Sequence, residues 1–460
     1  MFLNYVLISD FPFRPNIKID DKVGADEQAE ISITITKFKS LSSWIGSGGN
    51  WYDVSIDTTN NWNIDKNNVF GNDDCCDPVA KEYNGIIHLV WLNWNSIEYT
   101  RTDDFGNSFI PNKVIAQGFL DHPWMAVKKD TIAIIFTSYN VSNIITVACS
   151  FDGGNTWTLV NITNGAVPII TTDRQKFWAI FWDYDPSGIG IVVSSSTNCL
   201  NWSTPQKVAV MDAVIGPNPY PQGIHADAFA GRVLNAYMHT RTGSRNDWRV
   251  YISRYNLIEW DSFMVSPNSD NSIYYMPAIT FDPYGNAHLF YFYRITNKKW
   301  ALYHSYSSDF GNNWSNPIRV SDTTFEFVDE NECGGVDNVD YYCWPGHYIE
   351  AYADSQNVYV AWSDNRTGYF HVYSTYAKIS QIVKTYESKE ISKLFLNNKK
   401  IIYLADGTEN ISVKIYKIDG SLIFQKNTRT TKGHNIIYEL KKPEVLIVKI
   451  NEKTYKIGGY

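Results

Sequence analysis

The chain of 460 residues is long for one hydrophobic core, which favours a large domain joined to a small one. Hydrophobic residues make up 44% and charged residues 19%, a balance that excludes a disordered chain, and no apolar run is long enough to span a bilayer. The net charge of −8 is unevenly spread: from Tyr386 onward Lys and Arg outnumber Asp and Glu 14 to 8, whereas the preceding residues hold 26 against 40. An acidic main segment argues against nucleic acid as a partner, and the lysines of the tail alternate with apolar residues like a solvated face.

In chain order, Met1–Ser9 is apolar but too short for a signal peptide and lacks a basic start, so a leader has been removed or the start is truncated. Seven prolines then recur ahead of apolar strands, at Pro15, Pro78, Pro123, Pro168, Pro221, Pro277 and Pro345. Proline is tolerated where a strand begins, because no ladder donor is needed there. A β-branched or aromatic run follows each proline: 30–36 (EISITIT), 86–92 (IIHLVWL), 131–137 (TIAIIFT), 177–182 (FWAIFW), 232–239 (RVLNAYMH), 288–293 (HLFYFY) and 358–363 (VYVAWS). Short runs separated by turns, without helical period, predict an all-β chain. A period of roughly 45 to 65 residues is that of four-stranded propeller blades.

Between these strands recurs Ser/Thr-x-Asp-x-Gly-x-x-Trp. The full copies are Ser150-Phe-Asp152-Gly-Gly154-Asn-Thr-Trp157 and Ser307-Ser-Asp309-Phe-Gly311-Asn-Asn-Trp314. Thr102 to Phe109 keeps all but the Trp, Ser55 to Trp62 lacks the Gly, and weaker copies end at Trp202 and Trp260. The pattern describes a hairpin turn in which the carboxylate accepts backbone N–H groups, Gly supplies φ > 0 and the aromatic anchors the turn.

These repeats resemble the Asp-box, or BNR, repeats of the sialidase superfamily. The resemblance implies a seven-bladed β-propeller over residues 1–379, six blades being the alternative count, with the boxes in a structural role away from the ligand. The seventh repeat has no box, and Asn4–Asp10 (NYVLISD) matches the outer strand Asn316–Asp322 (NPIRVSD), so the N-terminus is expected to complete the last blade.

Residues 380–386 read as a linker, and 387–460 as a small β-sandwich built on the alternating stretches 412–422, 433–440 and 445–456. VKIYKIDGSLI followed by VLIVKINEKTYKI resembles the C-terminal sorting domain of the type IX secretion system of Bacteroidetes. That resemblance implies the secretion machinery as a partner and a secreted or cell-surface location. An ordinary accessory sandwich is the alternative.

In a propeller the residues just before the seven prolines ring one mouth of the central channel: Arg14, Asp77, His122, Val167, Tyr220, Met276 and Trp344. Arg14, Asp77, His122, Tyr220 and Trp344 together suit a sugar, through charge-assisted bonds to hydroxyls or a carboxylate and through aromatic faces; plugging of the channel is the structural alternative. Sialidases use an arginine cluster, a Tyr nucleophile activated by Glu, and an Asp acid/base, an exception to the two-carboxylate scheme. By resemblance, Phe13-Arg14-Pro15 is similar to the family's first-arginine motif without its Ile, and Tyr348 and Glu350 stand near the nucleophile's place. No Asp stands at the expected acid/base distance after Arg14, and Arg241, Arg294 and Arg366 are expected to pair with neighbours such as Asp364. The expectation is therefore glycan binding without efficient catalysis, with an exo-acting glycoside hydrolase as the alternative. No cofactor motif is present. The acidic loop of Asp329, Glu330, Glu332, Asp337 and Asp340 offers hard oxygen ligands for Ca²⁺, or is merely solvated. Among the six cysteines, Cys333 and Cys343 bracket this loop, Cys75 and Cys76 are adjacent, and Cys149 and Cys199 sit at equivalent strand ends in neighbouring repeats.

Overall fold

A computed structural model describes residues 12–458, except 22–28, 71–75, 213–222, 243–246, 268–272, 327–344, 384–393, 440–444 and shorter gaps of one to three residues. The chain divides into two compact units, Met1–Ser380 and Gln381–Tyr460.

The strands of the first unit pair antiparallel throughout its described residues. Among the described residues it holds seven sheets, which follow one another in sequence. Their first strands are Ala29–Thr36, Cys76–Tyr83, Leu120–Lys128, Ala166–Thr172, Ile224–Phe229, Tyr274–Phe281 and Glu350–Ala353. Each first strand touches that of the next sheet, and Glu350–Ala353 touches Ala29–Thr36, so the seven inner strands close a ring. This is the propeller-type solution to sheets that must bury both faces: each packs on two neighbours and none is left at an open end. The second strands carry the most continuous apolar runs, and Val90, Ile134, Ile180, Leu289 and Val360 are fully buried. Six of the seven runs expected to follow the prolines are these second strands; the exception is 30–36, which is the inner strand of the first sheet.

As expected, the N-terminal part of the chain completes the last sheet. The outermost strand of the last sheet is Ile17–Lys18, paired with His371–Lys378 and extended by a bridge between Phe13 and Ala377. Arg14 N–H donates to the Tyr376 carbonyl at 2.9 Å and Ile19 N–H to that of Val372 at 2.8 Å. Segment 4–10 lies outside the described residues. Side chains decide this register: Asp20 accepts from Val372 N–H at 2.7 Å and meets His371 Nδ1 at 2.8 Å.

The repeated motifs form the turns their spacing predicts. Asp152 Oδ1 accepts from the N–H groups of Asn155 and Thr156, each at 2.9 Å, and Ser150 Oγ from Gly154 N–H at 2.8 Å. Asp309 and Asp104 repeat this with Asn313 and Ser108. The turns join third to fourth strands, which puts them at the end of the sheets opposite to where the inner strands begin. Cys149 and Cys199 form a disulfide between the third and fourth sheets, with Cα atoms 6.0 Å apart. Cys76 is also disulfide-bonded, whereas Cys75, Cys333 and Cys343 lie outside the described residues.

The second unit holds a three-stranded sheet (Leu394–Asn397, Lys400–Ala405, Gly433–Glu439) and a four-stranded one (Glu409–Lys417, Leu422–Thr430, Val445–Ile450, Lys453–Gly458). Ile401 of the former and Ile411, Val413, Ile415, Val448 and Ile450 of the latter share one buried cluster.

Candidate functional site

Where the inner strands begin, the backbone repeats one unusual conformation. Glu30, Asp77, His122, Val167 and Met276 have φ between 48° and 52°, and Gly223 has φ 70° in the fifth sheet. Pairing register shifts across each of these non-glycine residues, His122 included, where Asp121 pairs with Thr137 and Trp124 with Ile135. An extra residue of this kind re-aims its side chain, and a non-glycine residue held there costs about 1–3 kcal/mol, a strain that concentrates at functional sites.

The consequence is a convergence of polar groups at one mouth of the ring. His122 Nδ1 lies 3.9 Å from Asp77 Oδ1 while its Nε2 faces Asp121 Oδ2 at 3.7 Å. His347 Nδ1 pairs closely with the Glu30 carboxylate, which also accepts from Asp77 N–H at 3.3 Å. The rings of His122 and His347 pack edge to face with centroids 5.3 Å apart. Glu30 and Asp77 are 1% and 3% exposed, whereas His347 reaches solvent with 27% of its side chain. Burial and the neighbouring Glu30 hold the Asp77 carboxyl well above its ordinary range, the histidines hold Glu30 below its own, and burial holds His122 below the usual imidazole value. His347 is placed by Gly346, at φ 94°, where a Cβ would lie 2.3 Å from the Glu30 backbone nitrogen.

Deeper in the ring lies a cavity of about 220 Å³ lined by Lys81, Trp124, Thr171, His225, Asp227 and Glu350, among others. Lys81 pairs with Glu350, which also accepts from Ser32 Oγ and from Ile33 N–H at 3.1 Å. Trp124 packs edge-on against Tyr348 and His225, at 5.0 and 5.7 Å. Burial lowers His225 to about 3, so it is neutral at physiological pH. On the same end of the ring as Asp77, a cavity of about 650 Å³ is lined by Asn143, Asn164, Trp182, Asp183, Tyr184 and Asp185. Tyr184 presents its ring there, 85% exposed.

Of the residues expected at the mouth, Asp77 and His122 come together, and Val167 and Met276 take equivalent places. Arg14 does not join them. It sits exposed on the outermost strand of the last sheet, its guanidinium 5.9 Å from the Tyr376 ring, because 13–19 is an outer strand and the first inner strand starts at Ala29. Glu30 holds the position assigned to Arg14. Tyr220, Trp344, Asp329, Glu330, Glu332, Asp337, Asp340 and Arg241 lie outside the described residues. Tyr348 is 3% exposed, burial keeps its phenol well above the ordinary value, and its hydroxyl has no hydrogen-bond partner among the described residues; Glu350 is engaged with Lys81. Arg366 clasps Asp364 (Nη2 to Oδ2 2.6 Å) and Asp322 (Nη1 to Oδ1 2.6 Å). Glu30 escaped the sequence reading because Ile31 follows it, whereas Asp77, His122, Val167 and Met276 are each followed by proline. His347 escaped because it follows Pro345 instead of preceding it.

No known protein family and no curated protein matches the chain. Among solved structures it is similar to a polysaccharide lyase of family PL25, an ulvan lyase, with 12% identity, 76% of this chain and 94% of that one covered, and a TM-score of 0.49. It is also similar to the GH93 α-L-arabinofuranosidase of Fusarium graminearum (12% identity, 80% and 99% covered, TM-score 0.43) and to the Aleuria aurantia lectin (13%, 61% and 84%, 0.38).

Proposed function

We propose that this chain is a secreted or cell-surface, seven-bladed Asp-box propeller of sialidase type that binds carbohydrate at the mouth bearing Asp77 and His122, with little or no turnover. The observation that carries this reading is the set of strained inner-strand starts. Non-glycine residues are held near φ 50° around one mouth, their acidic and imidazole members converge there, and a cavity with the open face of Tyr184 lies at the same end of the ring. Sugars are recognised by this pairing of fixed polar groups with an exposed aromatic face. The seven sheets, the ring of inner strands and the carboxylate-centred turns at the far end support the propeller and its Asp boxes. Weak turnover follows from Tyr348, whose buried phenol resists ionisation and which is no ready nucleophile. The second unit is read as a β-sandwich that addresses the chain to type IX secretion, an assignment that rests on the sequence resemblance of the tail.

A glycan array on the whole chain, followed by calorimetry on the hits, tests the reading. Tyr184→Ala, which removes the aromatic face, and Asp77→Asn, which alters a polar contact worth about 1–2 kcal/mol, should each weaken a bound glycan about tenfold. Asp152→Ala, at the far end, should leave affinity unchanged. Hydrolysis of a sialoside abolished by Tyr348→Phe, with binding retained, would instead make the protein an enzyme.

A further inference from the structure

We propose that Asp77, His122 and His347 bind one divalent transition-metal ion, with zinc the ion their donor chemistry favours. The three side chains each offer one ligand atom, and these atoms all lie within 4.8 Å of one another. A modest contraction brings them to the spacing of about 3.3–3.5 Å that donors around tetrahedral zinc adopt. Two imidazoles and one carboxylate form a mixed nitrogen–oxygen set that suits zinc, whereas calcium takes six to eight oxygens.

Three independent features point to an ion. First, Asp77 is 3% exposed and its Oδ1 has no hydrogen-bond partner among the described residues, which is costly for a buried carboxylate oxygen unless something else meets it. Second, each histidine turns one ring nitrogen to a carboxylate outside the trio: His347 Nδ1 to Glu30, and His122 Nε2 to Asp121 at 3.7 Å. That leaves His347 Nε2 and His122 Nδ1 for the ion; the close Glu30 contact is the carboxylate backing that fixes tautomer and orientation in metal sites, and Asp121 stands just beyond hydrogen-bond reach of His122. Third, the site is built on strained backbone. Asp77 and His122 are held at φ 52° and 50°, and the Gly346 turn that delivers His347 leaves no room for a side chain against Glu30. Three protein ligands with partial access through His347 leave a fourth position for water or a ligand oxygen, the open arrangement of zinc sites that act on something.

The test needs no glycan and is therefore independent of the carbohydrate reading. The full chain is stripped with a chelator, dialysed, and titrated with ZnCl₂ by calorimetry, with elemental analysis of the untreated protein alongside. The expected result is one zinc per chain, weakened at least a hundredfold by His347→Ala or Asp77→Ala and about ten- to a hundredfold by Glu30→Gln. Should these variants fail to fold by circular dichroism, the visible spectrum of the cobalt-substituted wild-type chain decides. Intense tetrahedral bands support the site; weak octahedral bands overturn it. Absence of saturable zinc binding, or zinc binding unchanged in folded His347→Ala, overturns it as well.

Discussion

Gly154 shows how much one residue of a repeated turn decides. Its φ is 88°, and a Cβ there would lie 2.3 Å from Tyr99 Cε1, in the ring of the preceding sheet. Gly154→Ala therefore meets both backbone strain and a steric clash, and should destabilise the first unit by about 2–4 kcal/mol in urea unfolding. Two buried imidazoles set an acid limit on stability. Burial lowers His88 and His225 to about 3, against an ordinary value near 6.5, and His88 Nδ1 is fixed by the Tyr99 hydroxyl at 2.7 Å. The unfolded chain takes up these protons first, so their contribution is fully present above about pH 6.5 and is lost as pH falls toward 3. The melting temperature of the first unit should fall on acidification through this window, and His88→Gln should flatten the slope. Raised carboxyls such as Asp53, held at about 7 by burial, act with the opposite sign, which is why the comparison of slopes is the informative measurement.

Among elements, the outer strand of the last sheet is the most instructive. Arg366 ties it down: Nη1 reaches Asn16 Oδ1 at 3.2 Å and Asp322 Oδ1 at 2.6 Å, while Nε and Nη2 hold the fully buried Asp364. Arg366→Ala leaves that carboxylate buried without its cation and should cost about 3–5 kcal/mol by thermal or chemical unfolding. The same element shows what sequence can and cannot reveal. The second strands were legible because their apolar runs are local, and the turns because serine, aspartate and glycine act within eight residues. Which stretch closes the ring was not. NYVLISD and NPIRVSD are alike as strands, but pairing is decided by partners about 350 positions away, such as Asp20 with His371. The candidate site was half legible for the same reason. Proline flagged Asp77 and His122, while Glu30 and His347 became neighbours only through ring closure.

For the whole molecule, the division at Ser380 and the separate cluster around Ile411 and Val448 mean that each unit has its own core. A fragment ending at residue 383 should keep the melting temperature of the first unit within a few degrees by differential scanning calorimetry. A large drop would show that the units share stability.

The strand that completes the ring is made long before the sheet that it completes. Its partners at residues 364–377 appear about 350 residues later, which at typical synthesis rates is a wait of roughly 20–70 s. Until then the N-terminal strand has no partner, and loop closure of this length is among the slowest steps a chain can face. The vulnerable moment of this protein thus comes at birth, when nascent chains expose strands able to pair with one another. In refolding from urea, yield should fall with protein concentration far more steeply than native stability suggests, and light scattering during refolding will show it.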